Sequence, residues 1–172
     1  MSVPKTGYAP VNGLSMYYEI HGAGQPLILI HGGVGLTDSL WEIMPALSSR
    51  RRVVAVDLQA HGRTADIDRP LRYESMADDI SSLMKYLGID KADVMGYSLG
   101  GGVALRMAIQ HPNLMARLIV ISAPCKRDGW YPEIRAAMAQ SRPTQADRSV
   151  ARLSSGWSQA KMARILARSA VH

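Results

Sequence analysis

The chain opens with two short segments, Tyr8–Val11 and Leu14–Ile20, on either side of Asn12-Gly13. Asn-Gly tolerates the positive φ of a tight turn, so this stretch predicts a β-hairpin. Two unbroken aliphatic runs follow, Pro26–Ile30 (PLILI) and Arg52–Asp57 (RVVAVD), the pattern of strands buried on both faces. Between them Leu40, Ile43, Met44 and Leu47 recur at helical spacing and predict a helix over Asp38–Ser48. A second helix is predicted over Glu74–Leu87, with Met76, Ile80, Leu83, Met84 and Leu87 on one stripe and Gly88 as its stop. Ala92–Tyr97 then reads as a strand, Leu99–Gln110 as a helix and Ala116–Ser122 (ARLIVIS) as a last strand. Strand–helix–strand alternation of this kind builds a doubly wound α/β fold, here a mostly parallel sheet with an N-terminal antiparallel hairpin.

The pattern changes near residue 133. Residues 133–141 and 147–169 are rich in good helix formers and contain no strand-like run, so a core over 1–132 and a helical tail over 133–172 are expected. Charge divides the chain at the same place. Residues 1–133 carry 13 Lys and Arg against 13 Asp and Glu, whereas 134–172 carry seven basic residues against Asp147 alone. The whole net charge of +6 therefore lies in the tail. No nucleic-acid motif accompanies it, so no nucleic-acid partner is expected.

Composition narrows the class further. Of 172 residues 47% are apolar and 20% charged, which excludes a disordered or collagen-like chain. One cysteine, Cys125, excludes an internal disulfide framework. No apolar run reaches the ~18 residues of a membrane span, and no secretory signal pattern opens the chain. A cytoplasmic protein without membrane attachment is the expectation. The loops Gly22-Ala23-Gly24 and Gly32–Gly35 lack the Lys-Ser/Thr of a phosphate loop, and no His, Cys, Asp or Glu spacing suggests zinc. Neither cofactor nor metal is expected.

Candidate chemistry begins at Gly96-Tyr97-Ser98-Leu99-Gly100, placed between a strand and a helix. A serine on so sharp a turn needs neighbours without side chains, and its Oγ then stands exposed above the sheet as a nucleophile. The N–H of Leu99, opening the helix, faces charge developing on a substrate oxygen. His31-Gly32-Gly33 follows PLILI directly, and its small residues let backbone N–H groups enter the same cleft. Gly33 is the expected second oxyanion donor, with Val34 the alternative. His31 itself reads as a structural histidine bonding loop backbone. Asp57-Leu58-Gln59-Ala60-His61-Gly62-Arg63 follows the next strand.

Taken in order, these three motifs resemble those of the α/β-hydrolase fold family over roughly residues 8–135, about the first half of a full-length member. The resemblance implies a serine hydrolase acting on a small-molecule ester, with Asp57 and His61 structuring loops. It also implies an acid and then a histidine after the serine. Only His111 and His172 follow Ser98. His111 closes the helix that Ser98 opens, about 18 Å away at 1.5 Å per residue, so His172 is the candidate base ahead of it. Asp128, just after the Ala116–Ser122 strand, and Asp147 are the candidate acids, Asp128 first. Three explanations compete for the missing later strands: a compact enzyme, a truncated or frame-shifted gene whose tail is not family sequence, or completion by another chain. The Arg, Ser and Ala enrichment after about Gln140 favours the second. The expected activity is a short-chain carboxylesterase; the alternative is a catalytically impaired hydrolase fragment or hydrolase-like binding scaffold. A cofactor-free haloperoxidase-like activity uses the same triad.

One expectation concerns assembly. If the sheet ends at Ala116–Ser122, that strand is an edge whose core, Leu118–Ser122, carries no charge or proline. Such an edge recruits another strand, so a homodimer or higher homo-oligomer is expected.

Overall fold

Alternate residues of the aliphatic runs face opposite ways, and that alternation organises the sheet. The computed structural model describes residues 3–125 together with Gly129 and Pro132, and residues 3–125 contain a six-stranded sheet. Its strands are β1 (Lys5–Val11), β2 (Leu14–His21), β3 (Gln25–Ile30), β4 (Arg51–Val56), β5 (Ala92–Tyr97) and β6 (Met115–Ile121). Their spatial order is β1-β2-β4-β3-β5-β6. β1 pairs antiparallel with β2 around Asn12 and Gly13, both at positive φ, and β2 pairs antiparallel with β4. All remaining pairs are parallel, so the expected doubly wound sheet with its antiparallel hairpin is present.

Ile28, Ile30, Val54, Val56 and Val94 turn one way, against α2 (Tyr73–Tyr86) and α3 (Leu99–Gln110). Leu27, Leu29, Val53 and Ala55 turn the other way, against Leu40 and the short helix α1 (Met44–Ser48). Both faces of β3 and β4 are thereby covered, which is why their sequences read as unbroken apolar runs. No helix among the described residues is long and apolar enough to cross a membrane.

The helix expected over Asp38–Ser48 is divided. A 3₁₀ turn spans Thr37–Leu40, and α1 begins only at Met44. Pro45 is the cause. It has no N–H to donate to the carbonyl four residues back, and its ring crowds that carbonyl, so a continuous helix cannot pass through it. The side chains still reach the core, because Leu40 and Met44 both pack on β3 and β4.

β6 pairs with β5 alone among the described residues, and Leu118, Ile119 and Ile121 are exposed. Light scattering of the purified chain is expected to give a dimer or larger species through this edge. A monomer at micromolar concentration would overturn that expectation.

Candidate active site

The end of β5 and the start of α3 enclose the sharpest feature of the backbone. Ser98 sits between them at φ +51° and ψ −112°, a conformation costly for any residue with a side chain. The surroundings hold it there. Its N–H donates to the Ile121 carbonyl at 2.9 Å, and its own carbonyl accepts the Gly102 N–H at 3.1 Å. Gly96 and Gly100 make the turn sterically feasible. A Cβ on Gly96 would collide with the Gly100 carbonyl, and one on Gly100 would lie 2.5 Å from the carbonyl oxygens of Ile30 and His31. The first turn of α3 therefore rests directly on the end of β3.

That contact brings the loop after β3 to the serine. A Cβ on Gly32 would stand 3.4 Å from the Ser98 Cβ, and one on Gly33 would stand 3.8 Å from the Leu99 Cβ. Gly35 N–H donates to the Gly32 carbonyl at 3.1 Å, closing a turn in which Val34 takes φ +55°. A β-branched residue rarely adopts that conformation, so the loop holds its shape against local preference.

Two buried side chains supply the hold. His31 is fully buried and uses both ring nitrogens on backbone: one lies 2.6 Å from the Gly32 carbonyl, and the other accepts the Leu58 N–H at 3.1 Å. A carbonyl only accepts, so Nδ1 carries the proton and Nε2 is bare. Burial pushes the imidazole down to about 4, against its Gly32 bond, and His31 is neutral at physiological pH. Asp57, also fully buried, accepts the Thr37 N–H on one oxygen at 2.7 Å and the Arg63 N–H on the other at 2.8 Å. It thus joins the loop after β3 to the loop after β4.

Arg63 reinforces the join. Its guanidinium donates to Thr37 Oγ1 at 3.0 Å and Asp38 Oδ1 at 2.9 Å, and stands 4.6 Å over the Tyr17 ring. The Tyr17 phenol, donating to Glu19 at 2.9 Å, is pushed up to about 12, chiefly by burial. His61 turns one nitrogen to the Gln59 carbonyl at 2.8 Å, with its ring centre 5.1 Å from that of His31.

Ser98, Leu99 and the Gly32–Gly33 loop are therefore brought together. His111 is not. It caps the far end of α3 and pairs with Asp78 at 2.8 Å. Asp128 and His172 lie outside the described residues. Sequence reasoning missed the part played by Arg63, although the residue stands inside the Asp57–Arg63 motif. It also missed Asp79, buried on α2 and bound by Arg69 at 2.6 Å. Among the described residues no three His, Cys, Asp or Glu side chains are grouped to hold a metal ion.

The strained serine, its glycine neighbours and the small-residue loop after β3 occupy positions that one family model also describes. The model of the alpha/beta hydrolase fold matches residues 25–170. The chain belongs to the α/β-hydrolase fold family. Among curated relatives of this hydrolase, a putative carbamate hydrolase RutD from Caulobacter vibrioides is 37% identical over 126 residues, covering 70% of this chain and 45% of the relative. A soluble epoxide hydrolase from Corynebacterium sp. (strain C12) is 34% identical over 116 residues, covering 66% and 40% respectively. Among solved structures, the epoxide hydrolase CorEH superposes with TM-score 0.72 at 30% identity, over 80% of this chain and 50% of that one. The chain thus spans about half the length, or less, of these relatives.

Proposed function

We propose that this α/β-hydrolase family member cleaves short-chain carboxylic esters with Ser98 as nucleophile. The observation that carries the reading is the Ser98 backbone, held at φ +51° with Gly32 against its Cβ. In the proposed reaction Ser98 Oγ attacks the acyl carbon and its proton passes to a base. The carbonyl oxygen becomes an oxyanion between the N–H groups of Leu99 and Gly33, with Val34 as the alternative to Gly33. Collapse of the tetrahedral adduct expels the alcohol, which takes the proton, and leaves an acyl-serine. Water then attacks the acyl-serine, releasing the acid and restoring the hydroxyl. His172 is the proposed base and Asp128 the proposed acid that orients it. The small-residue turn at 32–35 suits the oxyanion role, because Gly33 and Val34 present backbone there rather than bulk.

A second reading is a catalytically impaired hydrolase fragment or a hydrolase-like binding scaffold. What favours it is the placement of two imidazoles: both His31 nitrogens are bonded to backbone, and His111 stands at the far end of α3, held by Asp78. Covalent labelling separates the two readings. Diethyl 4-nitrophenyl phosphate is expected to release one equivalent of nitrophenolate and add a diethyl phosphoryl group to the Ser98 peptide in mass spectrometry. The Ser98→Ala variant is expected to take up none and to lose hydrolysis of 4-nitrophenyl acetate and butyrate. An unlabelled Ser98, or a Ser98→Ala variant hydrolysing as fast as the parent, would overturn the esterase reading.

A further inference from the structure

An open cleft of about 390 Å³ reaches Leu99, the residue after Ser98, and is lined also by Leu71, Tyr73 and Met76 and by His61 and Arg72. Its construction is specific. A Cβ on Gly102 would fall 2.5 Å from the Tyr73 ring, so the bare glycine lets that ring lie on the first turn of α3. The start of α2 is thereby drawn to within one cleft's width of Leu99, the residue after the nucleophile. Arg72 is extended (φ −128°, ψ 145°) immediately before α2 begins; it is exposed and belongs to the cleft lining.

The charges at this rim are unequal. Glu74 also lines the cleft, but its carboxylate lies 3.0 Å from the Arg106 guanidinium, so its charge is already met. Arg72 has no ion-pair partner among the described residues. His61 shares the lining, its Nδ1 committed to the Gln59 carbonyl and its Nε2 without a partner among them. A largely apolar cleft whose lining includes an arginine with no ion-pair partner among the described residues complements a ligand that is apolar in part and carries an anionic group.

Resting on the esterase reading of Ser98, we propose that this cleft receives one side of the ester and that Arg72 selects substrates whose group on that side ends in a carboxylate. The four apolar walls take the hydrocarbon or aryl portion. Arg72 meets the carboxylate, and the Nε2 edge of His61 lies beside it. The chemistry at Ser98 is unchanged by this; Arg72 sets which ester arrives there and how tightly it is held.

Two matched substrate pairs test the idea, one for each side of the ester. On the alcohol side, 4-acetoxybenzoate is compared with 4-acetoxybenzamide. On the acyl side, the 4-nitrophenyl monoester of adipic acid is compared with its methyl-capped diester. In one pair the charged member is expected to show a KM lower by roughly fivefold, with kcat little changed, the scale of one partly solvated ion pair. Arg72→Gln should abolish that preference and Arg72→Glu should turn it into discrimination against the anion. Arg72 is exposed, so circular dichroism of both variants is expected to match the parent. Equal KM values within both pairs, or a preference that survives in Arg72→Gln, would overturn the proposal while Ser98-dependent hydrolysis stands. A parent that hydrolyses none of the four esters and is not labelled at Ser98 overturns the esterase reading, and this inference with it.

Discussion

Replacing Gly100 with Ala is expected to destabilise this protein by about 3 kcal/mol and to remove its proposed ester hydrolysis. Gly100 lies inside α3 and does not have a positive φ, so on backbone preference alone Ala would gain about 1 kcal/mol. Crowding reverses the sign. The added methyl would stand 2.5 Å from two carbonyl oxygens of Ile30 and His31, which are backbone at the end of a central strand and have nowhere to go. Either α3 lifts from β3 or the turn at Ser98 opens, and each separates the serine from the Gly32–Gly33 loop. Gly88→Ala provides the comparison. Gly88 has φ +64° with nothing within 4 Å of the added Cβ, so only backbone strain of about 1 kcal/mol applies and hydrolysis should persist. Urea unfolding of both variants, with 4-nitrophenyl butyrate turnover, measures the difference. A Gly100→Ala variant as stable as the parent would show that β3 and α3 are not in the contact described.

Acid is expected to remove about 3 kcal/mol of stability through His31 alone. The imidazole stands at about 4 in the folded chain against 6.5 when solvated, because burial disfavours its charged form. Between those values the unfolded chain binds the proton and the folded one does not, so stability rises with pH across the window. The contribution is complete above 6.5 and is lost as pH falls toward 4. Protonation would also place an N–H where Nε2 now accepts from Leu58, setting donor against donor. The test is the difference between parent and His31→Gln in urea unfolding from pH 7 to pH 4, since other titrating groups are common to both. His31→Gln should be the less stable at pH 7 and should lose less on acidification. Parallel stability curves for the two proteins would refute the assignment.

Which parts of this molecule could be read from sequence follows from how local each constraint is. β5 and α3 have the boundaries their spacing predicts, and the elbow between them was visible because only glycine fits at Gly96 and Gly100. Pro45, by contrast, divides a stretch whose apolar spacing alone reads as one helix. The spacing reports which residues face the sheet, and it stays the same whether a helix is whole or broken. Asp79 shows a different limit. It sits on the buried face of α2, where an acid looks like an error until Arg69 and Asn12 reach it, the latter at 2.9 Å from 67 positions away. The same holds for Arg63, whose partners Thr37, Asp38 and Asp57 come from two loops and whose ring contact comes from a third element. Partners so distant in the chain leave no periodic trace. Asp128 and His172 rested on the order in which residues occur, and they fall outside the described residues.

The way Ser98 is held has a consequence for the order of events as the chain folds. Beside the local bond from Gly102, two contacts that fix its backbone environment come from far along the chain: one partner is Ile121 at the end of β6, and the other is the tip of β3 beneath Gly100. β3 meets β5 through pairs such as Leu27 with Asp93, 66 positions apart, whereas the β1–β2 hairpin closes over two residues. Pairings of long span wait on slow loop closure, while helices and hairpins form early. A chain that has made its hairpin and helices but not these parallel pairs therefore carries a serine with ordinary, relaxed dihedrals and no loop beside it. The geometry proposed for the nucleophile therefore arrives only with the closing of the most distant strands.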